Sequence, residues 1–154
     1  MKNFIYVIII IISVVSIFRS CGKKEAPAPV VLDFSSEYYG DVDLQGLQLE
    51  HGEFLSVVQA GGTVTIQARI RKNITNEMTI NANYFNIGDL ITKHGFNTCD
   101  EIRYFAVMDI GGADTKVMSF EVDKSTIDAI YGEKIFGSQI GDYVHDLWIA
   151  PGLK

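Results

Sequence analysis

Three histidines are the residues of this chain best suited to hold a metal or to move a proton. They are His51, His94 and His145, and none has a second histidine or a cysteine at the spacing of a metal-ligand pair. His145 lies next to Asp146 and near Asp142, but neighbouring residues of a strand point to opposite faces. We therefore interpret the histidines as surface polar residues and expect no metal and no cofactor.

Cys99 is the one internal thiol, and it could act as a nucleophile only if the fold placed a histidine beside it. We interpret it as a buried, inert side chain. The chain also lacks the Gly-x-Ser-x-Gly, phosphate-loop and dinucleotide fingerprints. We therefore expect no enzyme. A hydrolase that uses scattered Asp, Glu and His residues is the alternative, and it requires a pocket where at least two of them meet.

Asp41 and Asp43 begin a segment that opens like a calcium loop, with a glycine at its sixth position. The twelfth position of such a loop needs a bidentate glutamate, and here it is Gly52. We interpret this segment as a solvated acidic loop.

Four aromatic residues form the candidate ligand-binding set: Tyr38, Tyr39, Tyr143 and Trp148. Exposed aromatic rings can stack on sugars or fill a pocket of a protein partner. The competing interpretation, which we favour, has Trp148 closing one end of the core and the tyrosine pair packing over a sheet edge.

The segment before Cys21 has the layout of a secretory signal peptide. Lys2 supplies a positive charge, an apolar run extends from Phe4 to Phe18, and the small residue Ser20 precedes the cysteine. A helix over the apolar run would rise about 22 Å, which is short against a hydrocarbon core of roughly 30 Å. The sequence therefore predicts a cleaved leader at residues 1–20, with a retained membrane helix as the alternative.

The residues Phe18-Arg19-Ser20-Cys21 resemble a lipobox, where bacteria attach diacylglycerol to the cysteine and cleave before it. Phe18 replaces the usual aliphatic residue and Arg19 fits its position poorly, departures that Bacteroidota-type lipoproteins tolerate. The resemblance implies lipid on Cys21, and more than one acyl chain on a single residue gives stable anchoring.

Residues 21–30 follow as the lipidated cysteine and a short linker. Charged and small residues with alternating Pro27 and Pro29 suit an extended, solvated chain. Acid-rich runs directly after the cysteine resemble the surface-export signals of Bacteroidota lipoproteins. Here Lys23 and Lys24 come before the first acid, so the resemblance favours an outer-membrane protein that faces the periplasm.

The expected mature chain is acidic. Loss of Lys2 and Arg19 with the leader leaves 11 basic residues against 19 acidic ones, a net charge of −8. No basic block exists to neutralise phosphates, so nucleic acid is not an expected partner. Anionic lipid heads would repel such a body, so we expect membrane contact through the lipid on Cys21 alone.

Period-two alternation dominates the predicted domain, residues 31–154. Residues 63–71 alternate with Val64, Ile66, Ala68 and Ile70 facing a core, as in an antiparallel strand with one solvated face. Glycine pairs at 61–62 and 111–112 predict two hairpins, joining residues 53–59 to 63–71 and residues 102–110 to 116–122. Further strands are predicted at 78–85 and 143–150, with weaker candidates at 45–50 and 134–136.

One short helix is predicted at residues 125–131. Ser125 and Asp128 make a capping-box pattern, and Gly132 follows as a stop. Seven or eight short strands around this helix indicate an all-β fold, an antiparallel β-sandwich or a barrel.

The body also resembles a known group of proteins. Its order of Gly46-Leu47-Gln48-Leu49, Phe54-Leu55-Ser56-Val57-Val58 and Arg69-Ile70-Arg71-Lys72-Asn73 is similar to that of Bacteroidota lipoproteins of unknown function with Ig-like β-sandwich bodies. The resemblance covers about residues 41–80 and implies a fold and an envelope location, with no catalytic residues to transfer. We expect a membrane-anchored envelope lipoprotein that binds a protein or glycan partner or has an accessory role, with a carbohydrate-binding module as the alternative.

Overall fold

A six-stranded sheet and two α-helices make up the body in the computed structural model, which describes residues 28–154. The predicted leader and Cys21 lie outside the described residues. In chain order the elements are β1 (Tyr39–Asp41), β2 (Glu53–Ala60), β3 (Thr63–Arg69), α1 (Asn76–Lys93), β4 (Glu101–Ile110), β5 (Ala113–Asp123), α2 (Lys124–Tyr131) and β6 (His145–Ile149), with 3₁₀ turns at Phe96–Thr98, Gly137–Asp142 and Pro151–Leu153.

The strands lie side by side in chain order, from β1 at one edge to β6 at the other. Four of the neighbouring pairs are antiparallel, and β3 pairs with β4 in parallel. Parallel neighbours need a connection that returns the chain to its starting end, and α1 lies in that connection. The sheet is therefore mixed, whereas the sequence predicted an antiparallel one.

The two predicted hairpins are confirmed. Ala60 pairs with Thr63 across the first glycine turn, and Ile110 pairs with Ala113 across the second. The alternation in β3 is also confirmed, since the four side chains predicted to face the core are at most 3% exposed: Val64, Ile66, Ala68 and Ile70.

The strand predicted at residues 78–85 is wrong, because these residues belong to α1. Thr75 caps the helix by accepting a hydrogen bond from the amide of Met78 at 3.1 Å. Residues 78–84 alternate apolar and polar, which mimics a strand over two helical turns. Beyond them, buried Tyr84, Ile87 and Leu90 recur at helical spacing, so tertiary packing selects the helix.

The second sheet of a sandwich is not formed by residues 28–154, where all six strands belong to one sheet. Side chains of α1 instead share one apolar core with one sheet face, and the Tyr84 and Phe120 ring centroids lie 5.4 Å apart. The weaker strand candidates at 45–50 and 134–136 are not strands. The body is thus mostly β, with helices covering one face; the opposite face is called the open face below.

The predicted short helix is confirmed as α2, although its cap is another residue. The carboxylate of Asp123 accepts a hydrogen bond from the Thr126 amide at 2.8 Å, so Asp123 is the N-cap in place of Ser125. Gly132 ends the helix as predicted. The predicted strand at 143–150 is confirmed as β6 over a shorter range.

A buried polar network ties α1 to the sheet. The hydroxyl of Tyr104 on β4 donates to Oδ1 of Asn83 on α1 at 3.0 Å, and both side chains are fully buried. Asn86, one turn along, exchanges two hydrogen bonds with the backbone of His51 at 3.0 and 3.1 Å. Burial raises the pKa of Tyr104 to about 12.

The first described residues lie against the end of α1. The Leu32 amide donates to the His94 carbonyl oxygen at 3.0 Å, and the Phe34 amide donates to Oγ1 of Thr98 at 2.8 Å. Between them Gly95 adopts a left-handed φ of 84°, and a Cβ there would collide with the Leu32 carbonyl. A glycine is therefore needed where this segment crosses the helix end.

Candidate binding surfaces

The open face of the sheet carries rows of paired side chains that run from strand to strand. Cross-strand partners lie on the same face of a sheet, so the pairing register defines each row. Near the C-terminal end of β6, one row consists of Ser56, Gln67, Phe105, Ser119 and Trp148. At the N-terminal end of β6, the next row consists of Val58, Thr65, Arg103, Glu121 and His145.

Phe105, Lys116 and Trp148 form one cluster on this face, which we call the aromatic–lysine cluster. Lys116 Nζ lies 5.3 Å from the ring centroid of Phe105 and 4.9 Å from that of Trp148. Such distances allow cation–π attraction, worth about 0.5–1 kcal/mol at exposed sites. Ser119, only 9% exposed, lies between the two rings in the row, so its small side chain leaves the rings adjacent above the sheet.

Ion pairs flank the aromatic–lysine cluster on two sides. Arg69 contacts Asp114 through two hydrogen bonds of 2.8 and 2.6 Å and also reaches Glu53, which links β3 to β5 and to β2. Asp114, followed by Glu53, raises the pKa of the Arg69 guanidinium, and Arg69 lowers the pKa of Asp114. The open face therefore has an apolar centre and a charged border.

On the other side of the cluster, Arg103 lies between Glu101 at 2.5 Å and Glu121 at 3.4 Å. These charges are partly exposed, so each pair adds little stability. These ion pairs hold the charged groups of Arg103, Glu101 and Glu121 at the border of the aromatic–lysine cluster.

The four predicted aromatic residues do not meet at one site. Trp148 is 42% exposed on β6, so the favoured interpretation that it closes the core is wrong. Tyr38 and Tyr39 lie at the opposite edge of the sheet, 48% and 73% exposed. Five strand spacings separate β1 from β6, roughly 24 Å at about 4.8 Å each. Tyr143 is half-exposed just before β6, where its carbonyl oxygen accepts from Thr126 Oγ1 at 3.3 Å.

The three histidines lie apart, each in its own surroundings. His94 Nε2 is 3.4 Å from Asp89, and His145 Nε2 is 3.3 Å from Asp123. His51 packs near the Phe85 ring at a centroid distance of 6.4 Å. Among residues 28–154 no group of three or more His, Cys, Asp or Glu residues is placed to hold a metal ion.

The acidic loop around Asp43 and the thiol of Cys99 are the two other candidate features from the sequence. Asp43 accepts a hydrogen bond from the Gln45 amide at 3.0 Å, which closes a turn in the acidic loop. Cys99 is fully buried, and burial raises the pKa of its thiol to about 12, so the thiol is protonated at neutral pH.

A groove of about 660 Å³ lies between α1 and the segment that follows α2. We call it the aromatic groove, because Phe85 from α1 and Phe136 from the later segment line it while remaining 49% and 69% exposed. Gly137 has a left-handed φ of 57°, and a Cβ there would lie 3.0 Å from the Phe85 ring. The glycine thus lets the two sides of the groove come together.

Charged residues line the same groove. They are Glu50, Asp89 and Glu133, with Lys93 as the one base. Lys93 forms an ion pair with Asp89 one helical turn away, which raises the pKa of the lysine. The groove therefore joins an apolar, aromatic interior to a rim of net negative charge.

Sequence reasoning selected Trp148 but missed Phe105, Lys116 and the aromatic groove. The alternation in β4 could have placed Phe105 on the face opposite Tyr104. Lys116 joins it only through a bulge between β4 and β5, which alternation alone does not reveal.

No family model, no curated protein and no solved structure matches this chain. Among residues 28–154 there is also no helix with both the length and the apolar character needed to cross a membrane.

Proposed function

We propose that this protein is a lipid-anchored lipoprotein of the bacterial envelope. The support is the sequence around Cys21: an apolar run of limited length, the small residue Ser20 and a cysteine followed by a proline-containing linker. Lipid on Cys21 holds the body at the outer membrane, facing the periplasm or the cell surface.

Anchoring is tested on the purified membrane protein. Intact mass is expected to show loss of residues 1–20 and added acyl mass on the new first residue. The Cys21→Ser variant is expected to leave the membrane fraction or to accumulate uncleaved. If the wild-type protein itself keeps residues 1–20 and carries no acyl mass, the leader is a membrane helix and the proposal is wrong.

We propose further that the body is a non-enzymatic binding protein whose open face contacts an envelope protein. The aromatic–lysine cluster is the observation that carries this proposal. Protein interfaces combine a centre enriched in aromatic residues with a polar border, and Trp and Arg are prominent among the residues that dominate binding energy. Phe105 and Trp148 supply such a centre, and Arg69 and Arg103 with their carboxylates supply the border.

Capture from detergent-solubilised membranes tests the binding proposal when it is compared across two variants. Trp148→Ala removes the exposed ring of the cluster, and Tyr39→Ala removes an even more exposed ring at the opposite edge. We expect one reproducible partner that Trp148→Ala releases and Tyr39→Ala retains. Capture that is unaffected by Trp148→Ala, or absent altogether, contradicts a binding role for the open face.

A carbohydrate-binding module is the second candidate, and the half-exposed indole of Trp148 beside Lys116 favours it. A sugar ring stacks on an exposed indole, and Lys116 could donate hydrogen bonds to its hydroxyl or carboxylate groups. A glycan array with the wild-type protein is the test. A signal lost in Trp148→Ala and kept in Tyr39→Ala supports this candidate, and a signal that both variants retain contradicts it.

A further inference from the structure

We propose that the aromatic groove is a membrane-contact surface that rests on lipids with ammonium head groups, such as phosphatidylethanolamine. This inference builds on the proposed lipidation of Cys21 and adds an orientation: the groove faces the bilayer, and the open face of the sheet points away from it.

The first argument is where the described chain begins. The carbonyl oxygen of Val30 lies 2.8 Å from Nδ1 of His94, and Nε2 of the same ring lies 3.4 Å from the Asp89 carboxylate. Asp89 lines the aromatic groove, as does Lys93, which precedes His94 in the chain. The body is therefore joined to its lipid anchor at the rim of the groove.

The second argument is the length of chain between the anchor and this rim. Nine residues separate Cys21 from Val30, and a fully extended chain of that length spans about 30 Å at most. A body the size of residues 28–154 has a diameter of roughly 36 Å, taken from its expected radius of gyration. The anchor thus cannot reach round the body, which excludes the orientation in which the groove points directly away from the bilayer.

The third argument is the chemistry of the groove. Phe136 and Phe85 are 69% and 49% exposed, and exposed Phe side chains of membrane-surface proteins enter the boundary between the lipid head groups and the acyl chains. The two rings lie on opposite sides of the same groove, so both can enter this boundary together. Phe136 otherwise presents a large apolar ring to water.

The fourth argument is charge, which decides the class of lipid. Glu50, Asp89 and Glu133 outnumber Lys93 around the groove. Carboxylates accept hydrogen bonds from the ammonium group of phosphatidylethanolamine, whereas anionic head groups repel them. The net negative charge of the body therefore disfavours anionic membranes without opposing contact with an ammonium-bearing one. The groove contact adds to the lipid on Cys21, which the sequence alone predicted as the sole membrane contact.

Fluorescence quenching by brominated lipids tests the orientation on the full, lipidated protein. Trp148 is the only tryptophan of the chain and lies on the open face. The wild-type protein therefore reports on that face. The Phe136→Trp, Trp148→Phe double variant reports on the groove, and both replaced side chains are exposed, so the core stays intact. The probe membrane is a vesicle of equal parts phosphatidylethanolamine and phosphatidylcholine with brominated acyl chains.

We expect quenching several times greater for the double variant than for the wild-type protein. We also expect it to fall when phosphatidylglycerol replaces phosphatidylethanolamine. Equal quenching of the two proteins, or stronger quenching of Trp148, overturns the proposed orientation. Intact mass and vesicle flotation are recorded on the same samples. A protein that carries acyl mass and floats, yet shows no groove quenching, contradicts this inference alone, whereas a protein without acyl mass contradicts the anchoring proposal on which it rests.

Discussion

The imidazole of His94 lies 2.8 Å from the main-chain oxygen of Val30, so a side chain at the end of α1 holds the first residues of the described body. A backbone hydrogen bond of 3.0 Å between Leu32 and His94 reinforces this attachment. Val30 and Leu32 are therefore each bonded to His94, one through the side chain and one through the main chain, and substitution can separate the two contacts.

Replacing His94 by alanine is expected to loosen this attachment and leave the fold intact. One lost hydrogen bond corresponds to about 1 kcal/mol in the free energy of unfolding. Amide hydrogen exchange should accelerate more at Leu32 than in β3, where it follows only the lower free energy of unfolding. His145→Ala is the control, because its exposed ring is distant in the chain and contacts Asp123. Equal protection of Leu32 in both variants would show that the His94 ring does not hold the segment.

Gly95→Ala is expected to destabilise the protein more than Gly46→Ala. Both glycines have a φ of 84°, so both variants pay the left-handed strain of about 1–2 kcal/mol. A Cβ at Gly46 meets no atom within 4 Å, whereas one at Gly95 collides with the Leu32 backbone. Urea unfolding measures both values. Similar destabilisation by the two substitutions would contradict close packing of Leu32 on Gly95.

Tyr104→Phe is expected to lower the free energy of unfolding by about 1–3 kcal/mol, because Oδ1 of the buried Asn83 loses its donor. Tyr131→Phe, at a side chain that is 54% exposed, is the control and should change stability by less than about 0.5 kcal/mol. Chemical denaturation at neutral pH compares the two. Equal small effects would contradict the buried Tyr104–Asn83 hydrogen bond.

Tyr104 also predicts how stability changes at alkaline pH. The pKa of its hydroxyl is about 12 in the folded protein against 10.0 for an unperturbed tyrosine, because burial disfavours the phenolate. As pH rises from 10 to 12 the unfolded chain releases a proton that the folded chain keeps, so this contribution to stability is lost. Tyr104→Phe should therefore show a shallower loss of stability in this window than the wild-type protein. Parallel pH profiles would refute the assignment.

Asp123→Ala is expected to cost about 1 kcal/mol by removing the cap of α2. The hydrogen bond from the Thr126 amide lowers the pKa of Asp123 to about 2 from 3.8. The stabilisation is thus present above about pH 4 and is lost as pH falls toward 2. Asp128→Ala, the partner in the capping box that the sequence predicted, should have a much smaller effect. Thermal unfolding at pH 6 and pH 2.5 separates the two, and a larger effect of Asp128→Ala would restore the predicted box.

Local features of the fold could be predicted from the sequence, whereas the parallel pairing of β3 with β4 could not. Glycine turns and alternation act between near neighbours, and they predicted both hairpins. Residues 78–84 by themselves satisfy the strand pattern. The helix is selected by the packing of Tyr84 and Leu90 against the sheet, which the local sequence pattern does not contain. When residues 78–85 are assigned to a strand, the expected fold becomes a sandwich in place of a sheet covered by helices.

The candidate sites also combine residues that the sequence indicates with neighbours that only the folded chain brings together. Trp148 could be selected because a lone tryptophan in a short strand is conspicuous. Its neighbours Phe105 and Lys116 come from two other strands, so their approach depends on register and on a bulge. The aromatic groove is lined by Phe85 from α1 and by Phe136, which are far apart in the chain and come to one groove only in the folded protein.

Because β3 pairs in parallel with β4, which comes much later in the chain, one edge of β3 is unpaired during synthesis from the N-terminus. The first hairpin can close as soon as residue 69 is available, but the outer side of β3 stays unpaired until Glu101–Val107 arrive. That side offers free amide and carbonyl groups beside the apolar residues Val64 and Ile66, which is a template for joining another molecule. Fragments that end before β4 should therefore aggregate. During synthesis, the edge of β3 has to be protected from aggregation until β4 has been made.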